Sequence, residues 1–202
     1  MTPEQVQPSK RYRTIVADPP WAYPEGFARS TPTGKSLNVK RDEWAENNKF
    51  QRKELPYKAM TTGEMVLLPV EEMADKDCRL FLWTTNKWLP QAFGVMEGWQ
   101  FSYRQTLIWH KADGGPFITS VAPNTAEFLL VGTKGDPERL GSFPSQVLRF
   151  PAIRNHSTKP DGIIDLIEQT SPGPYLEMFA RRARFGWDYW GDESLQTATP
   201  LR

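Results

Sequence analysis

Arg13-Thr14-Ile15-Val16-Ala17-Asp18-Pro19-Pro20-Trp21 is the stretch that decides the fold. Its first five residues are β-branched and apolar, and they predict a buried strand over Tyr12 to Ala17. Two consecutive prolines, each lacking an N–H and each with a fixed φ, then stop pairing and leave the chain stiff and extended. The carbonyls of Asp18 and Pro19 are therefore expected to lack ladder partners and to face a cleft. Asp18 places a carboxylate at the carboxyl end of a strand, where open α/β sheets bind ligands. Trp21 offers a flat ring on which a base can stack. A rigid arm of acceptors beside an aromatic plate suits the exocyclic amine of adenine or cytosine. That amine is a weak nucleophile because its lone pair is delocalised into the ring. Acceptors that hold its hydrogens localise the lone pair, stacking aligns the nitrogen, and a carboxylate stabilises the charge that develops. The plainer alternative is a Pro-Pro loop with a capping Asp.

At 202 residues the chain is long enough for one substantial core, and the expectation is a single domain over residues 1–202. The net charge of +1 supplies no global field for nucleic acid, so any basic surface must be local. One cysteine, Cys78, and two histidines, His110 and His156, argue against a disulfide framework and a structural zinc, and no metal is expected. Residues 1–10 are polar and read as a loose arm, not a signal peptide, and no run reaches membrane-spanning length. A soluble, cytoplasmic protein without a membrane partner is expected.

Residues 22–54 follow the Pro-Pro turn and form a long polar loop. Between Lys35 and Glu54 it carries six basic residues (Lys35, Lys40, Arg41, Lys49, Arg52, Lys53) against four acidic ones (Asp42, Glu43, Glu46, Glu54). The alternatives are a catalytic-site lid that meets a polyanion and a solvated excursion. Thr61-x-x-Glu64 predicts a capping box opening a helix over Thr62 to Leu68, and Val70 to Ala74 a further turn after Pro69. Arg79 to Trp83 reads as a central strand. Asn86 is expected to cap a helix over Lys87 to Glu97, which Gly98 ends. Strands over Ser102 to His110, Ala126 to Thr133 and Ser145 to Phe150 follow without intervening helices, which predicts an antiparallel portion of the sheet. The last third returns to α/β: Ser157 or Thr158 capping a helix over Asp161 to Gln169 with Pro160 in its first turn, then strands over Tyr175 to Phe179 and Gly186 to Gly191. Residues 194–202 read as a frayed tail. The fold class is α/β.

The chemistry at Asp18 needs a methyl donor, and S-adenosylmethionine offers a zwitterionic end, a ribose and an adenine. Lys159 at a helix start suits the carboxylate, Glu177 or Arg181 at a strand end the ribose, and Asp192 or Glu193 the adenine amine. No G-x-G-x-x-G motif is present.

From Tyr12 to Glu193 the chain resembles the circularly permuted adenine N(6)-methyltransferases, relatives of the catalytic subunit of the messenger-RNA adenosine methyltransferase. The resemblance rests on Val16 to Trp21, Leu55-Pro56-Tyr57, Phe81-Leu82-Trp83, Ile108 to Lys111, Glu127 to Gly132, Ser157 to Asp161 and Glu177 to Arg181, in the family's order. It implies a Rossmann-like fold with a mixed, mostly parallel sheet, the catalytic strand preceding the cofactor strand. It implies that Asp18, Pro19, Pro20 and Trp21 are the catalytic motif. Tyr57, Trp83, Lys111 and Glu127 then match positions around the target adenine. Asp18, Lys159, Phe179 and Arg181 match positions around S-adenosylmethionine. Asp192 and Glu193 stand where relatives carry an amide pair, a departure from the pattern. The implied function is methyl transfer to the 6-amino group of adenine in nucleic acid, DNA before RNA. The alternative is a silent relative that binds nucleic acid or scaffolds an active subunit. A homo- or hetero-oligomer is open.

Overall fold

The computed structural model describes residues 10–22, 59–112, 124–152, 158–180 and 184–190. The apolar run after Arg11 forms β1 (Tyr12–Ala17). Thr61 opens helix α1 (Thr62–Val66) through the expected capping box, its hydroxyl accepting the Glu64 N–H while the Glu64 carboxylate accepts the Thr61 N–H. Pro69 separates α1 from the single turn α2 (Val70–Met73). Strand β2 (Ala74–Thr84), helix α3 (Leu89–Gly98), and strands β3 (Ser102–Lys111), β4 (Ala126–Lys134) and β5 (Val147–Phe150) follow. Helix α4 (Asp161–Thr170) leads to β6 (Tyr175–Met178) and β7 (Trp187–Trp190).

The seven strands form one sheet in the order β5-β3-β4-β2-β1-β6-β7. Pairings β1–β2, β1–β6, β3–β5 and β6–β7 are parallel, whereas β4 runs antiparallel to both β2 and β3. Six strands therefore point one way and β4 alone is reversed. This is the antiparallel portion expected from consecutive strands without crossover helices, set within a Rossmann-like α/β sheet.

Alternation of side chains sends each central strand into two cores. On one face Ile15, Ala17, Leu80, Leu82, Leu130 and Leu176 pack against Met65, Val70, Ala92, Val95 and Met96 of the first three helices. On the other, Val16, Phe81, Trp83, Leu107 and Leu129 pack against Ile163, Ile164 and Ile167 of α4. Among the described residues no helix is long and apolar enough to cross a membrane.

Several expected boundaries move. Asn86 does not cap α3: the turn closed by the Trp88 N–H on the Thr85 carbonyl delays the helix to Leu89, with Trp88 at the N-cap and the pre-organised Pro90 in the first turn. Gly98 is the last helical residue and not the stop. The stop is Gln100, which adopts a left-handed φ of 63° while the Phe101 N–H reaches back to the Met96 carbonyl and the Gln100 N–H to Glu97. Gly98 instead permits close approach, since a Cβ there would lie 2.7 Å from Cγ1 of Val66. Thr158 does not cap α4 either. Pro160, extended at ψ 129°, holds the N-cap position without a side-chain hydrogen bond, so the proline precedes the first turn. Ser157 lies outside the described residues. Strand β6 ends at Met178, because Phe179 turns to φ 61°.

Candidate active site

Register alone assembles a carboxyl edge. Ala17 pairs with Leu82 on one side and Met178 on the other, so Asp18, Trp83 and Phe179 emerge together. Because β4 is reversed, its amino-terminal end lies at this same edge: Leu129 faces Trp83, and Glu127 faces Trp109, two residues before Lys111. The segment before α4 brings Lys159 over the top.

These residues form a chain of charges. Lys159 Nζ donates to Asp18 Oδ2 at 2.6 Å and lies 3.5 Å from Glu127 Oε2. Lys111 Nζ donates to Glu127 Oε1 at 2.5 Å. Trp rings floor the two ammonium groups: Lys159 lies 5.3 Å from the Trp83 ring centre and Lys111 5.0 Å from that of Trp109. The two indoles meet edge to face at 6.1 Å. Trp83 is fully buried, and its Nε1 has no hydrogen-bond partner among the described residues. Burial by itself raises the Glu127 carboxyl, but Lys159 and Lys111 together hold it below the ordinary glutamate value.

The Asp-Pro-Pro-Trp turn departs from expectation in two respects. The Pro19 carbonyl does not wait for a ligand: it accepts the Trp21 N–H at 2.8 Å, a tight turn that prolines favour, and keeps one lone pair. The Pro20 carbonyl accepts the Met60 N–H at 2.9 Å, tying Trp21 to Met60 in a β-bridge. Trp21 is no open stacking plate. It is only 6% exposed, stacks on Trp88 at 6.0 Å, and donates Nε1–H to the Trp83 carbonyl at 3.1 Å. The indole thus fastens the turn to the end of β2, because an apolar ring beside this much apolar surface is more stable buried.

Phe179 sits at the edge in a conformation that bulky side chains rarely adopt. Both its N–H and that of Ala180 reach the Trp190 carbonyl, and its ring meets Trp190 edge to face at 5.2 Å. The structure therefore brings together Asp18, Trp83, Lys111, Glu127 and Lys159, with Phe179 on the adjoining strand end. Tyr57, Arg181, Asp192 and Glu193 lie outside the described residues. The sequence reading missed Trp88 as the partner of Trp21 and Trp109 as the support of Lys111. The spacing of Trp109, two residues before Lys111 on a strand and so on the same face, was the available signal.

An acidic side chain beside an ammonium, at the carboxyl edge of a mostly parallel sheet, is an arrangement that fits a Rossmann-like methyltransferase. The chain belongs to the MT-A70 family, which matches it over residues 12–193. It is 33% identical over 191 residues to the type II methyltransferase M.MunI of Mycoplasma sp, covering 92% of this chain and 79% of that protein. It is 30% identical over 135 residues to the N(6)-adenosine-methyltransferase catalytic subunit METTL3 of Homo sapiens, covering 63% of this chain. A putative N(6)-adenosine-methyltransferase MT-A70-like protein of Medicago truncatula is 30% identical over 149 residues. The chain spans only 23% of the human protein's length and 24% of the plant protein's.

Proposed function

We propose that this chain transfers a methyl group from S-adenosylmethionine to the exocyclic 6-amino group of adenine in nucleic acid, working as one methyltransferase unit. The observation that carries this reading is the 2.6 Å contact of Lys159 Nζ with Asp18 Oδ2 at the sheet's carboxyl edge. Adjacent ammonium and carboxylate groups complement a zwitterion, so the amino-acid end of S-adenosylmethionine fits with its carboxylate toward Lys159 and its ammonium toward Asp18. Phe179 and Arg181 would flank its ribose, and Asp192 and Glu193 its adenine. When bound, this cofactor supplies a methyl group on a positively charged sulfur.

The remaining work falls to the chain's own side chains. Asp18 and the second lone pair of the Pro19 carbonyl accept the two hydrogens of the target amine and localise its lone pair. As the N–C bond would form at the expense of the methyl–sulfur bond, leaving a neutral thioether, the Asp18 carboxylate would stabilise the positive charge growing on nitrogen and take the proton that leaves, passing it to solvent. Pro19 and Pro20 keep these acceptors stiff, and buried Trp21 positions them. Tyr57, Lys111 and Glu127 would face the adenine, with Glu127 held ionised between two lysines, and Trp83, expected at the adenine, is instead buried and supports Lys159 from beneath. DNA is placed before RNA because the likeness to the type II methyltransferase extends over 92% of the chain and that to METTL3 over 63%.

The test is transfer of labelled methyl to DNA and RNA followed by nucleoside analysis. Asp18→Ala is expected to abolish transfer in a folded protein. Lys159→Ala is expected to weaken S-adenosylmethionine binding by roughly 1.5–3 kcal/mol, the scale of a hydrogen bond to a charged group. Methylcytosine as product, or near-parental transfer by Asp18→Ala, would refute the reading.

A further inference from the structure

A cavity of about 600 Å³ opens on the α4 face of the sheet, between β2, β3, β4 and the loop over residues 135–146. It is remote from Asp18. Arg79 on its wall pairs with Thr14, four residues and about 13 Å of strand before Asp18. Its floor is apolar, formed by half-buried Val131 and Phe143 over the buried Phe81 and Leu107, and its rim carries Arg79, Arg104 and Arg139.

The three guanidinium groups share a feature: among the described residues none has a carboxylate within salt-bridge reach. Arg79 donates to the carbonyls of Pro137, Glu138 and Thr170 and to the Ser171 hydroxyl. Arg139 donates Nε–H to the Gly141 carbonyl at 2.8 Å and Nη2 to the Ser142 hydroxyl. Arg104 donates Nε–H to the Thr133 hydroxyl at 2.7 Å, leaving its two terminal nitrogens without a partner among the described residues. Neutral acceptors satisfy hydrogen bonds but bring no opposite charge. Burial, and then the nearby Arg139, hold Arg79 below the ordinary arginine value.

Neighbouring cations are treated differently. Arg13 takes the Glu138 carboxylate at 2.6 Å, Lys134 takes Glu71 at 3.3 Å, and Arg184 gathers Asp161, Asp165 and Glu168. Among the described residues Asp136, exposed on the rim, is the one acid lining the cavity, and against three arginines it leaves a local surplus of two positive charges.

We propose that this cavity is a second ligand site that binds a nucleotide-sized phosphoester, its phosphate on Arg104 and Arg139 and its flat, less polar body over Phe143 and Val131. Planar guanidinium forks match phosphate oxygens two at a time. The volume exceeds what a bare phosphate fills and lies within the range of small-molecule sites. Gln105 and Gln146 line the cavity, and although Gln146 Nε2 donates to the Thr106 carbonyl at 2.9 Å, its amide oxygen and the Gln105 amide can meet a ring edge. Such a phosphoester can come from a free nucleotide or from a nucleic-acid strand that runs past this face.

The experiment titrates the intact chain with thymidine 5′-phosphate, which lacks the adenine proposed for the active site, and with thymidine, following backbone amide signals by NMR. Thymidine 5′-phosphate is expected to shift the amides of Gln105, Ser142 and Gln146, with thymidine at least tenfold weaker. Arg104→Ala with Arg139→Ala, both exposed positions, is expected to reduce the affinity at least fivefold without changing the folded spectrum. Binding by a thymidine-only single strand more than tenfold tighter than by the monomer assigns the phosphoester to a strand, and equal binding assigns it to a free nucleotide. Equal binding of thymidine, shifts confined to the surroundings of Asp18, or undiminished affinity in the double variant would each overturn the site. The readout involves no methyl transfer, so it stands or falls separately from the proposed reaction.

Discussion

Trp21 carries two kinds of contact at once, and a single substitution separates them. Its indole ring fills core volume against Trp88, and its N–H satisfies the Trp83 carbonyl. Trp21→Phe keeps most of the ring but strands a buried carbonyl, so it is expected to destabilise by about 1–3 kcal/mol. Trp21→Ala removes the ring too and is expected to cost about 3–5 kcal/mol. Denaturant unfolding measures both, and equal stability of Trp21→Phe and the parent would count against the hydrogen bond. Glu127 gives a pH-dependent case. Its folded value lies below the ordinary one, so the fold favours the ionised form. That contribution is complete above the ordinary glutamate range, about pH 4–5, and is lost as pH falls through the lowered value. Glu127→Gln is therefore expected to be less stable than the parent by roughly 1–3 kcal/mol at pH 7. The gap should close in urea titrations below about pH 4; a constant gap would mean that charge is not the cause.

At the level of elements, β4 matters most to the site, since its reversal is what presents Glu127 at the carboxyl edge. Its position depends on a close approach to α3. A Cβ on Gly132 would lie 2.8 Å from the Met96 sulfur and 3.2 Å from Cβ of Phe101, both buried. Methionine can bend away, but the Phe101 Cβ is fixed by its backbone. Gly132→Ala is expected to destabilise by about 1–3 kcal/mol through overpacking, read as a lowered urea midpoint at unchanged slope. Elements were also what the sequence disclosed best. The period-2 and period-3.6 patterns and the capping box locate β1, α1 and α4 within a few residues, whereas β2, expected from Arg79, already begins at Ala74; the missing crossover helices betray the reversed strand. Contacts across long separations were not legible from local pattern, and only the family resemblance placed Asp18 and Lys159 around one ligand. The pairing of Lys159 with Asp18 spans 141 residues, and the burial of Trp21 depends on Trp88, whose pattern assigns it only to a helix face. Local propensity carries no information about either. The caps of α3 and α4 failed for a related reason: proline geometry and a preceding turn displaced the side chains that composition favours.

For the whole molecule, the net charge of +1 leaves nucleic-acid affinity to local patches. The basic stretch Lys35 to Lys53 lies outside the described residues, and its part in binding is a proposal from sequence. If it meets phosphates, affinity for DNA falls as salt rises because counterions are released. Replacing Lys49, Arg52 and Lys53 by Ala should flatten the slope of log affinity against log salt while S-adenosylmethionine binding is unchanged. An unaltered slope in filter binding would make the stretch a bystander.

The position of β1 between β2 and β6 also dictates when the site can exist during synthesis. The strand that carries Asp18 precedes both of its neighbours in the chain, one of which starts only at Tyr175, and Tyr12 donates to Asp188 beyond that. At about 5–20 residues per second, β1 waits roughly 9–35 s for the chain that completes its pairing. Throughout that interval it is a nascent, apolar strand with an open flank, the kind of segment that chaperones shield and that pairs wrongly when crowded. Of these three strands, the one translated first thus waits longest for both of its neighbours.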